Sequence, residues 1–278
     1  MTNAATDSFR DRVAVITGAG SGIGAGIARA LVDAGSSVVL ADIDEPALEA
    51  VARQLRSAEG RVLICRADVA EVSDLERLAR VTIEEFGAVH LLVNNAGVMT
   101  RAPLAESSLD DWEWIFNVNL RGVVEGVRAF LPHLRDAAPS HIVNTGSMSG
   151  LAPRLDGELG VYSASKAAVV VYSELLRAEL AAEGIGVSVL CPGPVSTQIW
   201  GAERGRHERF GRGHEMEEPA RAGAGMAADE VGRIVLDGVR ANEGFIFTNG
   251  DSQARIAERM DRLGAGLDRL GALDEGEA

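Results

Sequence analysis

Cysteine is nearly absent from the chain: 278 residues carry two, Cys65 and Cys191. Each sits inside an apolar, strand-like run, which excludes a disulfide framework and fits buried free thiols in a reducing compartment. Positive charge is also short, with 27 Lys and Arg against 41 Asp and Glu and a formal net charge of -14. That balance argues against a general nucleic-acid surface, because phosphate contacts depend on clustered cations. The one basic cluster, Arg204 to His214 (RGRHERFGRGH), runs directly into Glu215, Glu217 and Glu218, and reads as a solvated mobile loop. No uninterrupted apolar run approaches a bilayer span, and Met1 to Asp11 lacks the basic start and apolar centre of a signal peptide. The expectation is a soluble cytoplasmic protein with no membrane partner. None of the five histidines forms a ligand pair with the cysteines at helical or finger spacing, so no metal is predicted.

What the chain does have is a globular balance of 46% hydrophobic and 24% charged residues, enough for one large domain. Short β-branched runs recur at 12–17, 37–42, 62–68, 89–94, 141–146 and 186–191. They are continuous rather than alternating, as strands buried on both faces are. Helix-length segments rich in Ala, Leu, Arg and Glu separate them, one opening near Pro46 and stopping at Gly60. The alternation predicts an α/β fold of right-handed crossovers, a single-domain doubly wound (Rossmann) parallel sheet with helices on both faces. After Cys191 the order changes. Residues 198–226, rich in Gly and charge, read as a lid before a helix at 227–241 and the short strand GFIFT. Residues 1–10 read as a flexible start, 11–262 as the domain, and 263–278, which mix Gly with acidic residues, as a disordered tail.

The densest chemical signal is TGAGSGIG, Thr17 to Gly24, between the first strand and a small-residue helix. Free N–H groups and the helix dipole favour an anion there, and a pyrophosphate fits. The generic GxGxxG fingerprint is out of register, since Ile23 takes its third glycine counted from Gly18. The spacing is GxxxGxG, which by itself also suits a plain glycine turn. Asp42 ends the second strand, where a carboxylate can bond the adenosine ribose or cap the next helix. Its charge repels a 2′-phosphate, and neither Ser21 nor Ile43 supplies a cation, which favours NAD over NADP. Asp68 ends the third strand and can likewise cap, or bond the adenine.

Tyr162 and Lys166, four apart, share one helix face. A Tyr used as a base near neutrality needs a pKa shift of about three units, roughly 4 kcal/mol of preferential phenolate stabilisation. A neighbouring ammonium and a cationic nicotinamide have the right sign for that. Ser147, at the carboxyl tip of a strand, can hold a substrate carbonyl or alkoxide against the Tyr. A Tyr-x-x-x-Lys alone is also an ordinary surface pair.

Taken together, TGxxxGxG and YxxxK resemble the short-chain dehydrogenase/reductase superfamily, strongly over about residues 10 to 200. Further signatures stand in family order: NNAG at Asn94–Gly97, Asn119 in NVNLRG, and PGPVST at Pro192–Thr197. The resemblance implies that Ser147 positions the substrate oxygen and that Tyr162 exchanges its proton. It further implies that Lys166 lowers the Tyr pKa and bonds the nicotinamide ribose, while Asn119 completes a proton relay. It places cofactor contacts at Gly18, Gly20, Ser21, Gly22, Ile23, Gly24, Asp42, Ile43, Asp68, Val69, Asn95, Ala96 and Gly97. Tyr162, Lys166, Pro192, Gly193, Val195 and Thr197 complete that set. The implied activity is NAD-dependent hydride exchange with a secondary alcohol or ketone, in a homodimer or homotetramer paired through Leu109–Leu134 and Val161–Ala182. The competing readings are an NADPH-dependent ketone reductase, a sugar-nucleotide epimerase and a catalytically silent dinucleotide-sensing scaffold. The Ser147–Tyr162 segment is about two residues longer than the common family spacing, so the loop beside the site is enlarged. Val98, Met99, Ser149, Leu151, Pro153, Leu155, Leu159, Ile199 and Trp200 are candidate lining residues, mostly apolar, pointing to a hydrophobic or alicyclic alcohol.

Overall fold

The computed structural model of the protein describes residues 9–57, 61–155, 157–211, 225–250 and 252–274. Each β-branched run becomes a strand: β1 (Val13–Thr17), β2 (Ser37–Asp42), β3 (Val62–Arg66), β4 (Leu91–Asn94), β5 (Ser140–Thr145) and β6 (Ile185–Cys191), with β7 (Phe245–Phe247) from GFIFT. They form a seven-stranded parallel sheet in the order β3-β2-β1-β4-β5-β6-β7. The strand order reverses between β1 and β4, and this is where a doubly wound sheet opens a crevice at its carboxyl edge.

The two faces are covered separately, which explains the continuous apolar strands. On one face Val15, Leu92, Ile142 and Val187 pack with Trp114, Phe130 and Leu134, under helices α3 (Val72–Phe86), α4 (Leu109–Phe116), α5 (Gly122–Asp136) and α7 (Gly160–Leu180). On the other, Ile16, Leu40, Val93, Val143 and Leu190 pack with Ile27, Leu31, Leu48 and Val235, from α1 (Gly22–Asp33), α2 (Glu45–Ser57) and α8 (Ala228–Arg240). Glycine decides how closely α1 and α8 cross. A Cβ at Gly26 would stand 2.1 Å from the Ala228 carbonyl oxygen, and one at Gly232 would stand 2.3 Å from that of Gly26.

Several expectations need adjustment. β3 stops at Arg66 rather than 68, because the Asp68 carboxylate accepts the Ala70 N–H at 2.9 Å and turns the chain. The long segment Leu109–Leu134 is two helices joined by a π-turn at Asn117–Arg121. Helix α9 (Ser252–Asp274) continues past Leu263, where the composition predicts a disordered tail; its Ala, Leu and Arg content sustains a helix through the glycines. The segment expected as a lid, 198–226, begins with 3₁₀ turns at Ile199–Gly205 and Glu208–Phe210, while 212–224 lie outside the described residues, as do Gly60, 1–8 and 275–278. Arg204–His214 is not a wholly solvated loop either, since the Arg206 side chain is 3% exposed. Among the described residues no helix is long and apolar enough to cross a membrane.

Candidate active site

A cavity of about 870 Å3 occupies the crevice at the β1/β4 reversal. Its floor is the glycine loop. Gly18 has φ +65° and approaches Ala96 so closely that a Cβ would fall 2.8 Å from the Ala96 Cα. Gly24, one turn on, leaves room for the Gly18 carbonyl oxygen, which a Cβ would meet at 2.3 Å. Asn95 ties the loop down, its Nδ2 donating to the carbonyls of Thr17 at 3.0 Å and Gly18 at 3.2 Å. Helix α1 starts at Gly22 with Ser21 as N-cap and no side-chain capping bond. Ser21, Gly22 and Ile23 line the cavity, so the N-terminus of α1, where first-turn N–H groups lack intrahelical partners, opens onto it. This backbone cradle fits a pyrophosphate.

Asp42 also lines the cavity. Its Oδ2 accepts the Gly20 N–H at 2.9 Å and its Oδ1 the Asp44 N–H at 3.0 Å, which fixes the carboxylate and leaves a lone pair on each oxygen. Beside it lies Arg66, a cation absent from the sequence reasoning; strand register across β2 and β3 brings it there. Ile43, Asp68, Val69, Asn95, Ala96, Gly97, Pro192 and Thr197 also face the cavity. Gly20, Gly24, Gly193 and Val195 stand back. The Gly193 N–H donates to Thr248 Oγ1 at 3.2 Å, and Val195 bridges to Met226.

Tyr162 and Lys166 project from α7 into the same cavity. Lys166 Nζ donates to the Thr145 carbonyl at 2.7 Å and lies 5.8 Å from the centre of the Tyr162 ring. Ser147, the N-cap of α6 (Met148–Leu151), accepts the Ser149 N–H at 3.0 Å and stands beside the Tyr162 phenol. Burial pushes that phenol above its ordinary value; the Ser147 hydroxyl pulls it down, and nearby Cys191 adds to the rise. The expected depression of Tyr162 is therefore absent from the chain alone. Burial disfavours the Lys166 ammonium too, lowering it to about 8, so the lysine holds less charge in reserve than an exposed one. Asn119 is wholly buried in the π-turn. Its Oδ1 accepts the Val98 N–H at 2.8 Å, while Nδ2 donates to the Val98 carbonyl at 2.9 Å and to Ser165 Oγ at 3.0 Å. A Cβ on Gly97 would be 3.3 Å from Lys166 Nζ and 3.4 Å from Asn119 Oδ1, so these two groups face each other across Gly97.

Of the nine candidate lining residues, Val98 and Ile199 line the cavity. Leu155 is 76% exposed and Met99 3% exposed. Leu159, at the end of the Ser147–Tyr162 loop, forms an isolated parallel bridge with Ala102. The apolar wall comes instead from Trp114, Val118, Ala202 and Phe210. The 3₁₀ segment Ile199–Phe210 is anchored by Arg206, whose Nη1 lies 2.7 Å from Asp111 Oδ1 and whose guanidinium stacks 4.8 Å above the Trp114 ring. A separation of 95 residues hid this pair; the Ser108-x-x-Asp111 capping box was its one local trace.

Comparison with known proteins identifies the family. A family model described as short chain dehydrogenase matches residues 12–208. The chain is 32% identical over 256 residues to a 1-deoxy-11-beta-hydroxypentalenate dehydrogenase of Streptomyces exfoliatus, covering 91% of this chain and 88% of that protein. A short chain dehydrogenase/reductase from Burkholderia phymatum, solved in complex with NAD, superposes with a TM-score of 0.85 at 37% identity, covering 93% of this chain and 96% of that one. A putative short-chain dehydrogenase from Novosphingobium aromaticivorans gives 0.80 at 31% identity, covering 98% and 96%. With the family model spanning most of the chain and a relative 32% identical over 91% of it, this chain belongs to the short-chain dehydrogenase/reductase family.

Proposed function

We propose that the protein is an NAD-dependent oxidoreductase acting on a secondary alcohol or ketone of hydrophobic or alicyclic character. One observation carries the reading: Tyr162 and Lys166 share a single cavity with the glycine cradle and Asp42, with Ser147 beside the phenol. The Burkholderia phymatum relative held NAD on a closely similar fold, and the α1 N-terminus and the Asp42 lone pairs fit the pyrophosphate and ribose of the same nucleotide. Bound there, NAD supplies the hydride acceptor or donor.

The chain's own residues handle orientation and the proton. In alcohol oxidation the Ser147 hydroxyl holds the substrate oxygen while the Tyr162 phenolate takes the hydroxyl proton; in ketone reduction the phenol returns it. Lys166, fixed by the Thr145 carbonyl, supplies positive charge beside the phenolate. Asn119, facing Lys166 across Gly97, continues the proton path. Trp114, Val118, Ile199, Ala202 and Phe210 line the cavity's apolar side, which favours a hydrocarbon framework over a sugar or phosphate substrate.

Tyr162→Phe tests the assignment. With a panel of secondary alcohols and ketones, turnover followed by nicotinamide absorbance is expected to fall at least about a thousandfold, an estimate from general-base losses. NAD affinity is expected to stay within a few-fold. Turnover equal to that of the unaltered protein would remove Tyr162 from the chemistry.

A further inference from the structure

The described part of the lid, Ile199–Phe210, does not lie only beside the catalytic cluster. Its tip crosses to the far end of the groove. A Cβ on Gly205 would touch the Ile43 side chain at 3.5 Å. Arg209 pairs with Glu71 and donates to the Ala70 carbonyl at 3.4 Å, at the start of α3. Gly205, Arg206, His207, Glu208 and Phe210 line the same cavity as Asp42, Ile43, Asp68 and Val69. Those four stand at the carboxyl ends of β2 and β3, where the adenosine half of the dinucleotide belongs in the reading above.

The tip is held there by a built contact. Arg206 and Asp111 have side chains 3% and 1% exposed. Arg206 also donates to the Phe210 carbonyl through Nε at 3.1 Å and Nη2 at 2.7 Å, and reaches Glu203 at 3.2 Å. Asp111 accepts from Ser108 Oγ at 2.8 Å. Burial alone would raise the Asp111 carboxyl, but the bonds from Arg206 and Ser108 outweigh it and hold the group below the ordinary carboxylate range. A buried pair satisfied on both sides specifies one geometry, because half of it left alone is heavily penalised.

We propose that Gly205–Phe210 is a binding element for the adenosine half of the dinucleotide, and that the Arg206–Asp111 pair is the positioning contact that holds it over that half. The proposal rests on the NAD reading. It makes the lid tip a determinant of cofactor affinity, in addition to whatever the lid root does for the alcohol.

The test is calorimetric titration with ADP-ribose, which carries the adenosine and pyrophosphate but no nicotinamide. Asp111→Asn is expected to weaken ADP-ribose binding at least about tenfold, and His207→Ala and Arg209→Ala about threefold each, with β-NMN binding unchanged. Should Asp111→Asn fail to fold, as judged by circular dichroism, the two variants at the exposed tip decide the matter. Folded variants with unaltered ADP-ribose affinity would overturn the proposal while leaving the NAD reading intact. An unaltered protein that binds neither ADP-ribose nor NAD would overturn the NAD reading, and this proposal with it.

Discussion

At the scale of single residues, Asp42 is the expected determinant of cofactor preference. In the sequence Asp42 favours NAD with no cation near it, whereas in the fold Arg66 lies in the cavity beside Asp42. The Asp42 carboxylate, with Asp44 and Glu45 also in the lining, thus stands against Arg66 where a 2′-phosphate would sit. Asp42→Ala removes the repulsion and leaves Arg66 available to the phosphate. The expected outcome is an NAD dissociation constant raised about tenfold, the scale of about 1.4 kcal/mol from lost ribose bonds, with NADP binding improved. A preference unchanged in fluorescence titrations with NADH and NADPH would refute the ribose role. Asp42 was legible because it ends a strand pattern; Arg66 was not, because facing it toward the groove depends on strand register across the sheet.

Elements position these residues through contacts that tolerate no added atoms. The crossing of α1 over α8 brings backbone to backbone at Gly26 and Gly232, and α1 is the helix whose N-terminus forms the pyrophosphate cradle. Gly26→Val is expected to force the helices apart and destabilise the domain by about 3 kcal/mol, at the upper end for overpacking. Thermal unfolding should register several degrees lost, and NAD affinity should fall as α1 moves. A variant melting at the original temperature would show that the crossing relaxes freely. The π-turn at Asn117–Arg121 is a comparable device: an extra residue in one turn aims Asn119 inward at Val98 and Ser165. Periodicity in the sequence runs through this segment as one helix, and only the packing of α4 and α5 around the site reveals the break.

At the scale of the whole molecule, a buried polar network near the edge of the sheet opposite the site is expected to contribute to acid sensitivity. His141 on β5 is fully enclosed, with Nε2 2.8 Å from Ser188 Oγ, and Ser188 Oγ donates to the Glu243 carbonyl at 2.5 Å. Arg177 stands close by, donating to the carbonyls of Val187 at 2.7 Å and Asn242 at 2.6 Å. Burial first, and then the Arg177 charge, lower the histidine from 6.5 to about 3. Below pH 6.5 the unfolded chain therefore binds a proton that the native one refuses, and stability declines as pH drops from that point toward 3. The cost reaches an upper bound of about 5 kcal/mol at the low end. Urea unfolding between pH 7 and 4 should show a steady fall, reduced in His141→Asn. An identical slope in that variant would assign the acid sensitivity elsewhere.

The sequence by itself determined the strands, the glycine cradle, Asp42 and the Ser-Tyr-Lys set, because each is encoded within a few residues by apolar continuity, backbone freedom or side-chain spacing. Only the tertiary structure decided the apolar wall, the Arg66 neighbour, the Arg206–Asp111 anchor, the break at Asn119 and the protonation bias of Tyr162 and Lys166. Those depend on which surfaces meet and how much water is excluded between residues far apart in the chain, and no local pattern records that.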